Sequence, residues 1–368
     1  MIVSIDRVCR EKLTDEVVGA YVRLNGVSQR VRLADLYKWK KSGCIIENAV
    51  LDTRGFIRSK SGKLDVEYVD TLNLKSYANG RSYDGATSKY GITVNDTDYI
   101  VKSAKDKLDT SVYSEHIVST IGKRLGYNTH DTCLYNDNGK VVVLLKDFAV
   151  NGYMLRSFKD TAQSSLDSDL STKDYTYADV VYMIYKHTKL SADTKEKVIA
   201  QFWDMFMLDA IFGNRDRHHG NWGYLVKSGV YRLAPIFDNG GSLFPNVLMQ
   251  FASYFTNKRA FLIERSERFP ASLLKQKRVN GEVKRTNYYE YMSLEGQDKH
   301  MHEAYMRAKA IEVSRLFDIS KSVCYNLYTD KLLSEFYVSI ILMRYLHIIC
   351  RYSLDESYER LVSLWNRK

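Results

Sequence analysis

The segment Phe212-Gly-Asn-Arg-Asp-Arg-His-His-Gly-Asn-Trp222 decides how the rest of the sequence is interpreted. It places a carboxylate, Asp216, five residues before an amide, Asn221, with a glycine near each end of the segment. A second carboxylate, Asp238, follows two apolar runs between Trp222 and Phe237, and the sequence predicts that these runs pair as a hairpin. The chain is therefore expected to bring two carboxylates and one amide close together.

This arrangement suits phosphoryl transfer. An Asp, an Asn five residues later and a second Asp beyond a hairpin is the spacing of the catalytic loop and metal-binding aspartate of kinases. The chemistry needs one carboxylate that orients the attacking hydroxyl. It also needs oxygen ligands for Mg²⁺, which usually keeps several waters and binds through one or two carboxylates and the substrate phosphates.

The composition is that of a folded, soluble protein. The 368 residues are 45% hydrophobic and 27% charged, which argues against disorder and leaves room for two or three domains. A formal net charge of +10 favours an acidic partner, whether nucleotide, nucleic acid, anionic protein or membrane surface. The five cysteines are scattered without a CxxC pair, so neither a zinc ribbon nor a disulfide framework is indicated, and a reducing cytoplasm is expected.

Two segments bear on export and membranes. The first residues lack a charged stretch followed by an apolar core, so no signal peptide is predicted. The apolar run Phe336 to Cys350 is short for a bilayer and is interrupted by Arg344 and His347. A buried helix is therefore predicted for this run.

The pattern of apolar residues divides the chain into three parts. Residues 1–70 predict a small α/β module with a hairpin at Asn25-Gly26 and a helix over Leu33 to Ser42, interpreted as a docking or regulatory subdomain. Residues 71–150 predict a β-rich small lobe, and residues 151–368 predict a mostly helical large lobe. The C-terminal helices are predicted over Met301 to Val313, Lys321 to Leu333, Phe336 to Tyr352 and Glu356 to Trp365.

The small lobe contains a candidate site for phosphates. A glycine-bearing loop opens a hairpin whose second strand carries Lys102. Backbone N–H groups of such a loop can bind an anion, and the lysine supplies positive charge. The alternative is a surface hairpin without function. The candidate loop residues are Ser82, Asp84, Gly85, Ala86, Thr87, Ser88 and Lys89.

Two further features complete the small lobe. The predicted helix Ser111 to Leu125 carries Glu115 in its first turns, where a glutamate either pairs with Lys102 or is a solvated carboxylate favoured by the helix dipole. The chain passes into the large lobe at Lys146-Asp147-Phe148, where a kinase hydrogen-bonds adenine through its backbone.

These pieces occur in the order found in kinases, and the chain resembles the HipA-like kinases, which include the HipA toxin kinases and the shorter CtkA-type proteins. The resemblance rests on Gly213-Asn-Arg-Asp-Arg-His-His-Gly-Asn221, Leu233-Ala-Pro-Ile-Phe-Asp238 and Ser82-Tyr-Asp-Gly-Ala-Thr-Ser-Lys89. It implies an α+β, two-lobed protein-kinase-like fold related to phosphatidylinositol kinases. It also implies ATP- and Mg²⁺-dependent phosphorylation of serine or threonine.

The resemblance also implies residue roles. Asp216 would be the catalytic base, Lys102 would hold the ATP phosphates, and Asn221 and Asp238 would hold Mg²⁺. His218 would be the structural histidine of the catalytic loop. Ser82 falls where toxin members of the family autophosphorylate, a change that ejects the phosphate loop and inactivates the enzyme.

The sequence departs from the family pattern at three places. His219 and Gly220 replace the small and basic residues that some toxins carry before the Asn. Asn239 follows the metal aspartate, so there is no Asp-Phe-Gly. The N-terminal module does not match that of the toxins, which puts a HipB-like partner in question.

The expected partners are ATP, a protein substrate with a serine or threonine hydroxyl, and an antitoxin-like or host protein. Direct nucleic-acid binding and a membrane span are not expected. The expected location is the cytoplasm, or a host cell into which the protein is delivered as an effector.

Four other interpretations stay open on the sequence. A lipid or small-molecule kinase is favoured by the fold kinship and the +10 charge. A nucleotide-binding regulatory module would bind ATP without transferring phosphate. His218, His219 and the two aspartates could form a transition-metal site. The basic stretch Lys258 to Arg285 is either a solvated, substrate-facing segment or a site for DNA or RNA.

Overall fold

The architecture is that of a computed structural model of the chain. It describes residues 1–52, 57–60, 62–83, 89–163, 176–267, 270–277, 283–292 and 298–367. These residues form two compact units. The first comprises residues 1–82, 90–99 and 135–140, and the second comprises residues 83–89, 100–134 and 141–368.

The strands are β1 Ile2–Glu11, β2 Val17–Leu24, β3 Val27–Arg32, β4 Ile45–Ile46, β5 Ala49–Leu51, β6 Ile57–Ser59, β7 Asp65–Val69, β8 Ala78–Ser82, β9 Lys89–Val94, β10 Thr97–Ser103, β11 Thr132–Asp137, β12 Lys140–Lys146, β13 Met154–Ser157, β14 Gly223–Lys227, β15 Val230–Leu233, β16 Pro270–Lys277 and β17 Val283–Asn287. The helices are α1 Leu33–Lys41, α2 Ser111–Arg124, α3 Phe158–Gln163, α4 Tyr177–Lys186, α5 Ala192–Phe212, α6 Phe251–Thr256, α7 Lys258–Glu267, α8 Tyr288–Met292, α9 Lys299–Lys309, α10 Val313–Cys324, α11 Lys331–Arg344 and α12 Leu354–Trp365.

The first unit is built around the long strand β1. β1 pairs antiparallel with β2 and parallel with β4 and β7, and β2 pairs with β3. The tight turn between β2 and β3 places Asn25 at φ 51° and Gly26 at φ 81°, a conformation that Asn and Gly adopt most readily. Alternate apolar side chains of β1 and β2, with Leu36 of α1, form its core. The hairpin and helix predicted for this part of the chain are confirmed.

A second five-stranded sheet has the order β11-β12-β10-β9-β8. β10 carries Lys102 near its end, and α2 follows β10 in the chain with Glu115 on its buried face. This part of the sequence therefore supplies a lysine on a strand and a glutamate on the next helix, as predicted.

The second unit is mostly helical. α5 is 21 residues long, begins at the cap Ser191 and ends at Gly213, whose φ of 67° allows the chain to leave the helix. Its C-terminal half, from Met205 to Phe212, is buried throughout and lies in the centre of the apolar core. α5 therefore anchors the start of the Asp216 segment to the buried core. After this segment β14 and β15 form the predicted hairpin, extended by β13.

The C-terminal helices agree with prediction except for one. The helix predicted over Lys321 to Leu333 does not exist, because α10 ends at Cys324 and a new helix, α11, begins at the cap Asp330. The apolar segment Lys331–Ile349 is 19 residues long and, by length and composition, long enough to cross a bilayer, contrary to the prediction. However, 89% of an 18-residue window of this segment is buried inside the fold, so the predicted buried core helix is confirmed.

Candidate functional site

Lys102 lies at the centre of a buried ionic cluster. Its ammonium Nζ donates to Glu115 Oε2 and to Asp238 Oδ1, each at 2.9 Å, and the residue is 5% exposed. Burial alone would lower the pKa of Lys102, but the two carboxylates outweigh burial and raise the pKa well above its ordinary value. Lys102 therefore carries a permanent positive charge at neutral pH.

Glu115 is fully buried and has a partner for each oxygen. Its Oε1 accepts from the backbone N–H of Asn239 at 2.8 Å, and Oε2 accepts from that of Gly240 at 3.1 Å, in addition to Lys102. A solvated carboxylate at a helix start, the alternative left open by the sequence, is therefore wrong for this residue. Glu115 instead fixes both the lysine and the chain just after Asp238.

Asp238 follows the β14–β15 hairpin and lies at the edge of this cluster. Its φ of 56° is left-handed, a conformation that Asp tolerates better than most residues. Burial raises the pKa of its carboxyl, but the charges of Lys102 and Lys89 outweigh burial, and the net shift is downward. The side chain is 30% exposed. Asp238 is thus a charged, accessible oxygen donor held beside a lysine.

The Asp216 segment is fixed by backbone contacts. The Asp216 amide donates to Asn214 Oδ1 at 3.0 Å, and its carbonyl accepts from Asn221 Nδ2 at 2.9 Å. The Arg215 amide donates to the Gly241 carbonyl at 3.1 Å, which ties this segment to the chain after Asp238. The Asp216 side chain is exposed. Its carboxylate is therefore accessible and can accept a hydrogen bond from a hydroxyl group in solution.

Gly240 and Gly241 lie where the chain after Asp238 passes close to Lys102 and to the Asp216 segment, and neither has a side chain that would fill this space. A Cβ at Gly240 would lie 3.2 Å from Lys102 Nζ. A Cβ at Gly241 would lie 2.7 Å from Asp216 Cβ and 2.9 Å from Asn214 Oδ1. Neither glycine was predicted from the sequence as a site residue, although two consecutive glycines shortly after Asp238 are a signal of close backbone approach.

Arg217 is another site residue that was not predicted from the sequence. It is fully buried, and its guanidinium forms a bidentate ion pair with Asp209 of α5. It also donates to the carbonyls of Asn221 and Phe237 and to Asn239 Oδ1. Burial opposes the charge on Arg217, but Asp209 outweighs burial and raises the pKa. Arginine and aspartate side chains are rarely fully buried. The burial of Arg217 and Asp209 is explained only by their pairing in the folded structure.

The two adjacent histidines have different surroundings. His218 is exposed, and its Nδ1 accepts from the Gly220 amide at 3.0 Å. His219 is 7% exposed, packs against Phe158 and accepts from Trp222 Nε1 at 3.3 Å. The role of His218 as the structural histidine of this loop stays a prediction, and the ring that packs inside the fold belongs to His219.

The burial of His219 predicts an effect of pH on stability. Burial and the neighbouring His218 lower the pKa of His219 from 6.5 to about 4. Between pH 6.5 and pH 4 the unfolded chain gains a proton that the folded chain cannot take up, so the free energy of unfolding falls as pH falls. At 1.36 kcal/mol per pKa unit, the total loss is about 3 kcal/mol.

His219→Gln removes this titration and keeps an acceptor for Trp222. We expect the variant to lose less stability than the wild type on acidification across this range, measured by urea unfolding. Equal acid losses in the two proteins would contradict this explanation. Other buried histidines are common to both proteins and cancel in the comparison.

The segment predicted to bind adenine, Lys146 to Phe148, already uses some of its polar groups in hydrogen bonds within the fold. The Lys146 amide donates to the Asp131 carbonyl at 2.9 Å, and its carbonyl lies 2.7 Å from His130 Nε2. Asp147 accepts from the Ala149 amide at 2.8 Å and from Tyr83 Oη at 2.9 Å. Because the Lys146 backbone is already engaged, the backbone of Phe148 is the better candidate for contacts with adenine.

The predicted phosphate loop is described only at its edges. Asp84, Gly85, Ala86, Thr87 and Ser88 lie outside the described residues. Ser82 ends β8, and Lys89 begins β9. The positive charge of Lys89 relates it to another site residue, because it helps to lower the pKa of Asp238.

The donor set fits Mg²⁺. Asn221 and Asp238 offer amide and carboxylate oxygens, which hard cations prefer, and two protein ligands leave the remaining positions for water and phosphate. In the part of the chain that the structure describes, no three His, Cys, Asp or Glu side chains converge as a metal site. The transition-metal site of His218, His219, Asp216 and Asp238 therefore does not form.

Comparison with known proteins identifies the family. Residues 81–286, more than half of the chain, match the family described as HipA-like C-terminal domain. This chain belongs to the HipA-like C-terminal domain family. The resemblance found in the sequence is confirmed.

Individual relatives support the assignment. The serine/threonine-protein kinase CtkA of Helicobacter pylori is 34% identical over 184 residues, which are 49% of this chain and 54% of CtkA. The match thus spans about half the length of that relative. A crystal structure of the H. pylori proinflammatory kinase CtkA aligns with a TM-score of 0.64 and 29% identity, over 78% of this chain and 96% of CtkA.

A HipA from Shewanella oneidensis, solved with HipB and operator DNA, aligns with a TM-score of 0.43 and 13% identity, over 94% of this chain and 78% of that one. The similarity to CtkA and the mixture of sheets and helices show that this HipA-like chain has an α+β, kinase-like fold, as predicted.

Proposed function

We propose that this HipA-like protein is an ATP- and Mg²⁺-dependent serine/threonine protein kinase. The observation that supports this best is the cluster in which Lys102 bonds both Glu115 and Asp238, while the chain after Asp238 bonds the Asp216 segment through Gly241. In this proposal Lys102 is the phosphate-binding cation, Asp238 the metal-binding carboxylate and Asp216 the hydroxyl-binding carboxylate. The similarity to the kinase CtkA supports the same activity.

Each residue has a defined task in this proposal. Asp216 accepts a hydrogen bond from the substrate hydroxyl, orients it and takes its proton late in the reaction. Lys102, charged throughout the neutral range, neutralises phosphate oxygens, and Glu115 fixes its ammonium group. Asn221 and Asp238 would hold Mg²⁺, which would supply positive charge that offsets the negative charge of the phosphates. The backbone at Phe148 is the proposed contact for adenine.

The proposal includes two finer statements. Ser82 lies at the end of β8, next to the phosphate loop, and is the proposed site of autophosphorylation. The proposed external substrate is a protein with a serine or threonine hydroxyl, from an antitoxin-like or a host-protein partner. Lys258 and Arg259 of the basic stretch are ion-paired with the carboxylates of Glu335 and Asp355 in the same unit, which favours a structural use of these two charges over nucleic-acid binding.

The substrate class can be tested with labelled ATP. Purified protein would be incubated with Mg²⁺ and ATP labelled on its γ-phosphate, in the presence of a serine-rich protein or of phosphatidylinositol vesicles. We expect label on protein that depends on Asp216. Label confined to lipid would favour the lipid-kinase alternative. Tight ATP binding with no labelled product would favour a nucleotide-binding regulator and contradict the proposal.

Gly241→Ala tests whether the two segments must touch. The new Cβ would overlap Asp216 Cβ and Asn214 Oδ1, so Asp216 must move. Displacing a catalytic group by about 1 Å can cost on the order of a hundredfold in rate, so we expect a loss of about tenfold to a hundredfold in turnover. ATP affinity should change little, because Lys102 is not displaced.

Gly240→Ala is the matched control, since its Cβ would lie 3.2 Å from Lys102 Nζ and would not overlap Asp216. Its loss of turnover should be smaller. Wild-type turnover in Gly241→Ala would contradict the described contact between the segments.

A further inference from the structure

Arg217 uses every N–H of its guanidinium group. Nε and Nη2 donate to the two carboxylate oxygens of Asp209 at 3.0 and 3.1 Å. Nη1 donates to the carbonyls of Asn221, at 3.0 Å, and of Phe237. Nη2 also donates to Asn239 Oδ1 at 2.5 Å. Since a guanidinium has five N–H donors, the five acceptors satisfy it completely.

The acceptors connect three parts of the site. Asp209 belongs to α5, whose C-terminal half is buried in the core. Asn221 is one of the two predicted magnesium ligands. Phe237 and Asn239 flank the other ligand, Asp238, on either side in sequence. Arg217 is anchored to a buried helix through its ion pair with Asp209. From there its side chain holds the chain next to both predicted magnesium ligands.

We propose that Arg217 is a positioning residue that sets the separation of the two magnesium ligands, Asn221 and Asp238. This inference rests on the proposed function, because it assumes that these two residues bind the metal. Arg217 does not touch the metal or the substrate in this account. It acts through the carbonyl of Asn221 and through the two neighbours of Asp238.

The same contacts extend to the nucleotide lysine. Asn239, held by Arg217, donates its backbone N–H to Glu115 Oε1 at 2.8 Å and its side-chain amide to Ser119 Oγ at 3.0 Å. Glu115 in turn bonds Lys102. A shift of Arg217 would therefore be transmitted to the metal ligands first and to Lys102 only through two further residues.

Lysine cannot replace this arginine. An ammonium has three donors and no planar fork, so it cannot bond both oxygens of Asp209 and three further acceptors at once. Groups that orient metal ligands typically change metal affinity by about tenfold to a hundredfold when they are lost. Arg217→Lys should therefore raise the Mg²⁺ concentration needed for half-maximal phosphate transfer by about tenfold or more.

Arg344 provides a matched control. It is also a fully buried arginine of the same unit, and it donates to the carbonyls of Ala210 and Arg265. None of these contacts involves Asn221, Asp238 or their neighbours in sequence. Arg344→Lys should lower the melting temperature while leaving the Mg²⁺ requirement per folded molecule unchanged.

The experiment compares wild type, Arg217→Lys and Arg344→Lys in two titrations. The first measures the Mg²⁺ dependence of phosphate transfer, and the second measures, by calorimetry, the affinity for a non-hydrolysable ATP analogue with and without Mg²⁺. We expect Arg217→Lys to lose most of the gain in analogue affinity that Mg²⁺ gives, with affinity in EDTA within a few-fold of wild type. An unchanged Mg²⁺ requirement in folded Arg217→Lys would overturn the proposal.

A milder variant covers the case in which Arg217→Lys does not fold. Asn239→Ala keeps the Arg217–Asp209 pair but removes one acceptor beside Asp238, and we expect an increase of about threefold in the Mg²⁺ requirement, below the range for full loss of an orienting group. No increase would overturn the proposal. If the wild type transfers no phosphate but binds the analogue better with Mg²⁺, the kinase assignment fails while the calorimetric test of Arg217 still stands.

Discussion

Replacing Asp216 by alanine is expected to lower phosphate transfer by about a hundredfold or more, the range for removing a positioned general base. The fold should be unaffected, because the side chain is exposed and the contacts of Asp216 within its segment are made by its amide and its carbonyl. Alanine keeps both backbone groups. Binding of ATP with Mg²⁺ should stay within a few-fold of wild type, since Asn221 and Asp238 remain.

Three measurements on one preparation decide this prediction: melting temperature, nucleotide affinity and turnover. Asp216→Asn should also be slow, because a neutral amide cannot take the proton of the hydroxyl. If Asp216 only shaped its segment, the variant would lose stability while turnover per folded molecule stayed at the wild-type level.

Replacing Lys102 by methionine is expected to stop turnover and also to destabilise the fold. The lysine is 5% exposed and neutralises two carboxylates, one of which, Glu115, is fully buried. Removing one partner of a buried ion pair typically costs about 3–5 kcal/mol, because the remaining charge is left without compensation. Glu115 would keep only its two backbone donors, the amides of Asn239 and Gly240.

The cause of the destabilisation can be checked with a double variant. Glu115→Gln removes the buried charge, so Lys102→Met combined with Glu115→Gln should be more stable than Lys102→Met alone. Urea unfolding of the wild type, both single variants and the double variant measures the coupling between the two residues. Strictly additive losses would show that the ion pair is not the source of the effect.

The sequence predicted the parts of the site that follow from short-range order. The spacing of Asp216, Asn221 and Asp238 and the positions of Lys102 and Glu115 are set by local motifs, so they could be found without coordinates. The helix that carries Glu115 and the hairpin before Asp238 were likewise evident from apolar periodicity.

The contacts that hold the site together could not be predicted in this way. Arg217 and Asp209 are charged residues of types that usually lie on the surface, and their burial depends on meeting each other across a turn. The same holds for the neighbouring histidines. Sequence alone did not indicate that His219, rather than His218, faces the aromatic core.

The C-terminal helices show a second limit. Lys321 to Leu333 has apolar residues at helical spacing, yet the structure ends one helix at Cys324 and caps the next at Asp330, whose side chain accepts from the Leu333 amide at 2.8 Å. Either a continuous helix or two capped helices satisfies the periodicity. The packing of α10 and α11 against the core, which the sequence does not specify locally, selects the second.

Mass spectrometry of the purified wild type and of Asp216→Ala, after incubation with ATP and Mg²⁺ and a serine-rich protein, tests the central claim most directly. The account predicts that the wild type adds phosphoryl groups to serine or threonine, on the added protein or on its own chain near Ser82. It predicts that Asp216→Ala, equally folded and equally able to bind ATP, adds almost none. Failure of the wild type to modify any serine or threonine, or equal modification by the two proteins, would contradict the account.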